Sequence, residues 1–546
     1  MHTINTISGN LVDISNKHIY PATLFIENGI IKEIKQEANS FDTYILPGFV
    51  DAHIHIESSM LPPVEFARAA MPHGTVGVVS DPHEIANVLG INGIHYMLDN
   101  AALSPLTVCF GGPSCVPASP FENGGAVISA EDIDHLLSTK AMGYLAEMMN
   151  YPGIIHGFEE VMSKITIAKK HNKPIDGHAP GLKGSELERY IKAGITTEHE
   201  AVSYEEALEK MQKGMKILIR EGSAAKNFNE LIPLLNTNPD KCMFCSDDKH
   251  PDDLLAGHIN ELVRRAVKMG YDVMKVLKAA CLNPVQHYKM DVGLLRPGDS
   301  ADFIITNNLK DFSIINVIKK GIKVAEKGSF LFPYHHSEII NNFKLKKRKI
   351  NEFNLPYDKG DINVIGVIDG QLITQKLTAK PKLEGNTVVS DPQNDVLKLC
   401  VINRYKKDSK PAIGFVKNIG LKQGAIGSSV AHDSHNIVVT GVDDASICTV
   451  VNALINTKGG ICAYNNKTNT LKTLPLPIAG IMSDKPVEEV AASYSELDAM
   501  AKELGSTLSA PFMTLSFLAL SVIPSLKLSD KGLFDSEAFE FISVFK

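Results

Sequence analysis

The chain reads as an α/β protein: a (β/α)8 TIM-like barrel flanked by a small β-sandwich, with a C-terminal α+β domain. Three observations predict this. Eight short strand-like stretches alternate with helical patterns between residues 47 and 289, and such alternation implies a parallel sheet with right-handed crossovers. Segments of strand and turn texture lie on both sides of that block. A third region of mixed strands and helices follows the basic run Lys344-Leu345-Lys346-Lys347-Arg348-Lys349.

Residues 1–46 read as short strands joined by turns. Thr23-Leu24-Phe25-Ile26 runs into Glu27-Asn28-Gly29, a hairpin signal, and then into Ile30-Ile31-Lys32-Glu33-Ile34. The same texture returns over residues 290–345, from Gly293-Leu294-Leu295 to Ile322-Lys323-Val324, so the two flanks are expected to pair into one sandwich.

The barrel is expected over residues 47–289. Its candidate strands are Gly48–His55, Thr75–Ser80, Leu106–Phe110, Gly143–Glu147, Pro174–His178, Ile195–His199, Met215–Arg220 and Cys242–Asp247. Ser185-Glu186-Leu187-Glu188 matches a capping box, with Gly194 closing that helix. Leu254-Leu255, Ile259, Leu262-Val263 and Ala266-Val267 form a helix-period stripe. The basic run is read as a solvated linker, and residues 350–546 as a separate domain.

At 546 residues, 44% hydrophobic and 21% charged, the chain has the composition of a multidomain globular protein. A net charge of −7 without long charged blocks argues against a nucleic-acid groove or a polybasic membrane patch. No apolar stretch reaches the ~20 residues that span a bilayer, and the N-terminus has no signal-peptide pattern. Eight scattered cysteines fit reduced thiols, so a cytoplasmic location is expected.

The chemistry lies at the strand ends. His53 and His55, separated by one residue on a strand, face the same side. Catalytic groups of such barrels sit at the C-terminal ends of the strands. There the second strand runs into Asp81-Pro82-His83-Glu84, the fourth ends at Glu147, the fifth at His178, the sixth at His199, and the eighth at Asp247-Asp248. Four imidazoles and two carboxylates are the inventory for two divalent ions sharing a carboxylate and activating water. Asp247 has the chemistry to move a proton, and Glu147 to bridge.

A cysteine-ligated deaminase centre is the competing reading. His55-Ile56-Glu57 and Cys242-Met243-Phe244-Cys245 match fragments of that signature. The second lacks its proline, and cysteines three apart on a strand face opposite sides, so both are read as packing residues. Ala431-His432-Asp433-Ser434-His435-Asn436 is dense in ligand-type residues. It is either a satisfied polar turn or a contribution of the C-terminal domain to the barrel mouth.

Several blocks together carry a resemblance. They are Pro47-Gly48-Phe49-Val50-Asp51-Ala52-His53-Ile54-His55-Ile56-Glu57-Ser58-Ser59, Ser80-Asp81-Pro82-His83-Glu84, Leu145-Ala146-Glu147-Met148-Met149-Asn150, Asp176-Gly177-His178-Ala179-Pro180-Gly181, Ser246-Asp247-Asp248-Lys249-His250-Pro251 and the Ala431–Asn436 segment. Spread over nearly the whole chain, they resemble the amidohydrolase superfamily and, within it, the bacterial adenine deaminase family. The resemblance implies hydrolysis of adenine to hypoxanthine and ammonia in purine salvage or catabolism, with two Mn2+ or Fe2+ ions per site. By position, His53 and His55 would hold one metal and His178 and His199 the other. Glu147 would bridge, and Asp247 would bind metal and shuttle the proton. Glu84 and Glu200 are alternative acids for the ring nitrogen N1. His83 is a candidate for an additional metal, and His432 and His435 for further ligands. A homo-oligomer, dimer or higher, is the expected assembly. The rivals are a cyclic amide or N-acyl hydrolase (dihydropyrimidinase-like or deacetylase-like) on the same barrel, and a non-catalytic hydantoinase-like scaffold.

Overall fold

A computed structural model of the chain describes residues 3–223 and 225–546. Strands β1 (Phe49–Ile54), β2 (Thr75–Ser80), β3 (Thr107–Gly112), β4 (Met142–Met148) and β5 (Ile175–Gly177) form one parallel sheet in chain order. β6 (Thr197–Glu198), β7 (Lys216–Arg220) and β8 (Cys242–Cys245) form a second parallel sheet. The two arcs meet at both seams. The Thr196 N–H donates to the Ile175 carbonyl at 2.9 Å, and the Asp247 N–H to the His53 carbonyl at 2.9 Å. All eight expected strands are present, their ends shifted by at most two residues. β1 and β2 are buried along their whole length, as parallel strands covered by helices must be.

Three local expectations are corrected. The helix Gly184–Ala193 opens from Lys183, and no side chain caps it. Gly184 takes the first helical position, which puts Ser185 inside the first turn. The Gly184 N–H finds its acceptor in Glu209 of the next helix, at 2.9 Å. The stripe from Leu254 to Val267 is two helices, Pro251–Ala256 and Ile259–Lys268. They break at His258, whose ring turns into the barrel and places Nε2 2.8 Å from Asp51 and Nδ1 2.7 Å from Thr75. The basic run is not a free linker. Leu345 is buried, and the Arg348 guanidinium donates to Glu352 at 3.1 Å and to the Ser409 carbonyl at 2.9 Å.

The two flanks share one eight-stranded sheet, joined where Tyr44–Pro47 pairs antiparallel with Phe303–Thr306. Its hairpin between His18–Glu27 and Ile30–Gln36 turns at Asn28 and Gly29, both at positive φ. Leu24, Ile31, Ile45 and Phe303 lie in a core separate from that of the barrel.

The C-terminal region carries a mostly antiparallel eight-stranded sheet with the helices Asp444–Thr457 and Val487–Glu503. It is plugged onto the barrel mouth by the loop after β3. Phe121 lies between Phe534 and Phe539, with ring centroids 4.4 and 4.8 Å away. Asn123 donates to Asp530 through its N–H at 2.9 Å and its side-chain amide at 2.6 Å. Among the described residues no helix is long and apolar enough to cross a membrane, and all eight cysteines are free.

Candidate active site

The C-terminal ends of the barrel strands converge on one buried cluster. β1 places His53 and His55 so that their Nε2 atoms are 3.2 Å apart. The His55 Nδ1 lies 3.1 Å from the Asp81 carbonyl, which fixes that nitrogen as the donor and leaves Nε2 as a lone pair facing the centre. Asp247 Oδ1 is 3.5 Å from His53 Nε2 and 3.2 Å from His55 Nε2. Imidazole lone pairs this close repel one another unless a cation lies among them, so the donor set fits a metal.

Glu147, at the end of β4, divides its two oxygens between two sets of histidines. Oε1 is 3.3 Å from His55 and 3.6 Å from His83. Oε2 is 2.7 Å from His178 Nδ1 and 3.3 Å from His199 Nε2. The His199 ring stacks on His53 with centroids 4.2 Å apart. By distance the donors group as His55, Asp81, His83 and Glu147; as His53, His199 and Asp247; and as Glu147, His178 and His199. Burial pushes the Glu147 carboxyl up, but His178, His199 and His55 outweigh it and hold it well below the usual range. Burial lowers His178, yet Glu147 and Glu200 raise it to about 9.

Arg220 is the residue the sequence analysis passed over. It ends β7, one of two barrel strands to which no chemistry was assigned, and the strand-end rule that found the others applies to it equally. Its Nη1 donates to Asp247 Oδ2 at 2.5 Å, and its Nη2 to Glu200 Oε2 at 2.9 Å, while Nη1 also contacts Glu200 Oε1. Burial pushes the Asp247 carboxyl up, but Arg220, His53 and His55 prevail and hold it well below its ordinary value. Glu198 turns away from the cluster, accepting from the N–H groups of Ala179 at 3.1 Å and Glu200 at 2.6 Å.

The Ala431–Asn436 segment enters the site from above. His432 Nδ1 and His435 Nε2 each contact one oxygen of Glu84. His83, by contrast, leans on Asp81, with Nδ1 3.0 Å from Oδ2. Burial lowers His432, but Glu84 and Asp248 raise it to about 9, whereas burial carries His435 down to about 4. The His432 ring stacks on Phe517 with centroids 4.4 Å apart and planes at 15°. Over the floor of histidines and carboxylates, Leu372, Phe517, Leu520 and Ile523 close a small cavity. Every residue proposed from the sequence, namely His53, His55, His83, Glu84, Glu147, His178, His199, Glu200, Asp247, His432 and His435, thus belongs to one connected cluster. Cys242 and Cys245 stay in the packed body of β8 as buried thiols.

Beneath the floor, Asp51 braces the seam. It accepts from the His53 N–H at 3.2 Å, the Ser246 N–H at 3.1 Å and His258 Nε2 at 2.8 Å. This network ties β1 to the strand end that carries Asp247.

Residues 44–324 match the amidohydrolase family, and residues 371–540 match the adenine deaminase C-terminal domain. The chain is 51% identical to an adenine deaminase of Salinibacter ruber over 99% of both chains. It is 53% identical to one from a Sulfurovum species, over 98% of this chain and 99% of the relative. It is 50% identical to one from Methanosarcina mazei, again over 98% of this chain and 99% of the relative. Among solved structures, a beta-aspartyl dipeptidase of Fervidobacterium islandicum aligns at 15% identity and a TM-score of 0.47, over 60% of this chain and 98% of its own.

Proposed function

This chain belongs to the adenine deaminase family of the amidohydrolases, and from that membership and the geometry above we infer that it hydrolyses adenine to hypoxanthine and ammonia in the roofed cluster at the barrel mouth. The observation that carries the reading is the divided carboxylate of Glu147, facing His55 on one side and His178 with His199 on the other.

Two divalent cations would be the occupants, and a set of imidazoles and carboxylates without thiolate is compatible with manganese or ferrous iron. His53 and His55 would hold one ion, His178 and His199 the other, with Glu147 between them and Asp247 completing the set. When bound, the ions supply Lewis-acid activation of water at neutral pH.

The remaining steps belong to the protein. Asp247, kept ionised by Arg220, accepts a proton from the attacking water through Oδ1 and delivers it to the amino nitrogen leaving C6. The ring nitrogen N1 gathers electron density as C6 becomes tetrahedral and must be protonated. Glu200 is held by both nitrogens of Arg220 and is the poorer donor. Glu84 is paired with His432, which carries a proton at neutral pH, so the Glu84–His432 pair relays that proton to N1. As the C6 carbonyl forms, the second water proton leaves that oxygen and returns to the Glu84–His432 pair, so adenine and water give hypoxanthine and ammonia and the protein regains its starting protonation.

The test is ammonia and hypoxanthine release from adenine by manganese-loaded protein, in equal amounts. Absence of release from adenine, with turnover of hydantoin or an N-acetyl sugar instead, would transfer the site to a cyclic amide or N-acyl hydrolase.

A further inference from the structure

Adenine is a flat, uncharged ring, and a floor of imidazoles and carboxylates offers its face no apolar contact. The cover comes from two distant segments of the C-terminal region, one carrying Leu372 and the other Phe517, Leu520 and Ile523. Two side chains bind these segments together. Thr374 donates through its N–H to the Pro524 carbonyl at 2.9 Å and through its hydroxyl to the Leu526 carbonyl at 2.8 Å. The other is Lys527, on the strand Leu526–Ser529. Its Nζ donates to the carbonyls of Leu372 at 2.7 Å and Phe517 at 3.0 Å.

Lys527 has 0% exposure, and among the described residues its ammonium has no carboxylate partner. Burying such a group without a counter-charge is strongly unfavourable, and an apolar side chain of similar volume would pack there at lower cost. Its hydrogen bonds are therefore the feature that distinguishes it from a methionine. Burial pushes the amine down to about 7. The neutral amine still has two N–H groups, one for each carbonyl, so both protonation states make the same two bonds.

We propose that Lys527 is the positioning residue of an adenine roof: by holding the carbonyls of Leu372 and Phe517, it fixes the apolar cover beneath which the purine ring lies. The proposal rests on the reading of adenine as substrate.

Lys527→Met and Lys527→Gln test it, with steady-state kinetics on adenine, manganese content, and hydrogen exchange of peptides covering 371–374 and 516–523. In Lys527→Met, KM is expected to rise about tenfold, with kcat within about threefold, because uniform binding is what the roof supplies. Manganese content stays at the wild-type level, and the two roof peptides exchange faster than the barrel peptides. Lys527→Gln, which retains amide donors, keeps KM closer to wild type. An unchanged KM in Lys527→Met overturns the proposal, as does a parallel loss of kcat, affinity and metal, which marks a merely structural role. Should Lys527→Met fail to fold, Lys527→Arg carries the test. Its bulkier fork displaces both carbonyls, so raised KM with retained metal supports the roof, and wild-type KM with wild-type exchange overturns it. Wild-type protein that releases no ammonia from adenine defeats the substrate reading. Active wild type with an indifferent Lys527 defeats only the roof.

Discussion

Arg220→Met separates the work of the guanidinium from that of the metal ligands. Arg220 is 3% exposed and holds two carboxylates at once, Asp247 at 2.5 Å and Glu200 at 2.9 Å. Methionine fills much of the same volume but leaves both carboxylates without their cation. Breaking a buried ion pair from one side costs about 3–5 kcal/mol, so the unloaded protein should lose stability on that scale. For catalysis the relevant contact is the one to Asp247. A charge-assisted hydrogen bond contributes about 1.5–3 kcal/mol. At about 1.4 kcal/mol per decade, losing the orientation it provides lowers kcat by about ten- to a hundredfold. The pH profile gives a second reading. In the proposed mechanism Asp247 works as the carboxylate, and Arg220 is the foremost group opposing the effect of burial on it. Without Arg220 the carboxyl takes up its proton at higher pH, so the acid limb of kcat moves upward. The assay is ammonia release from adenine between pH 5 and pH 9, with manganese measured on the same samples. A variant with full manganese, kcat within twofold of wild type and an unmoved acid limb would refute the assignment of Asp247 as a proton carrier oriented by Arg220.

Two further outcomes follow from the same geometry. Asp247→Asn keeps the shape of the side chain but removes its basic oxygen, so turnover should fall by about a hundred- to ten-thousandfold while much of the manganese remains, as read by metal analysis beside activity. Near-normal turnover in that variant would end the proton-shuttle role. Manganese affinity should rise with pH between 6 and 9, because Glu147 and Glu200 hold His178 up at about 9 and an incoming cation must displace its proton. One displaced proton corresponds to about tenfold in affinity per pH unit below that value, and a flat titration of the stripped protein across this range would contradict it.

The barrel and most of its floor were legible because two periodicities govern them. Parallel strands are short apolar runs separated by helix-length segments, and their ends are where polar residues interrupt the pattern. His53, His55, Glu147, His178, His199 and Asp247 all sit at such interruptions. Arg220 sits at one too, but an arginine ending a strand looks like a boundary charge until its two carboxylate partners are placed beside it. The failures share one cause. Ser185 matched a capping box by spacing, yet the N–H needing a partner was met by Glu209 from another helix. The stripe around His258 kept its helical period, yet the chain broke to deliver that ring to Asp51. In both cases a residue distant in sequence settled a local question.

The sequence by itself determined the barrel, the metal-type donor set and, through its blocks, the family. These follow from local pattern and residue chemistry, which a linear chain displays directly. Only the tertiary structure decided how Glu147 divides its oxygens, which carboxylates Arg220 holds, and that His432 and His435 close on Glu84 from the other end of the chain. It also decided that Lys527, an unremarked lysine in a short strand, donates to the carbonyls of Leu372 and Phe517 in the cover of the site. The physical reason is range. Strand and helix patterns act over a few residues, whereas hydrogen bonds and ion pairs act over a few ångströms, and only folding converts one scale into the other.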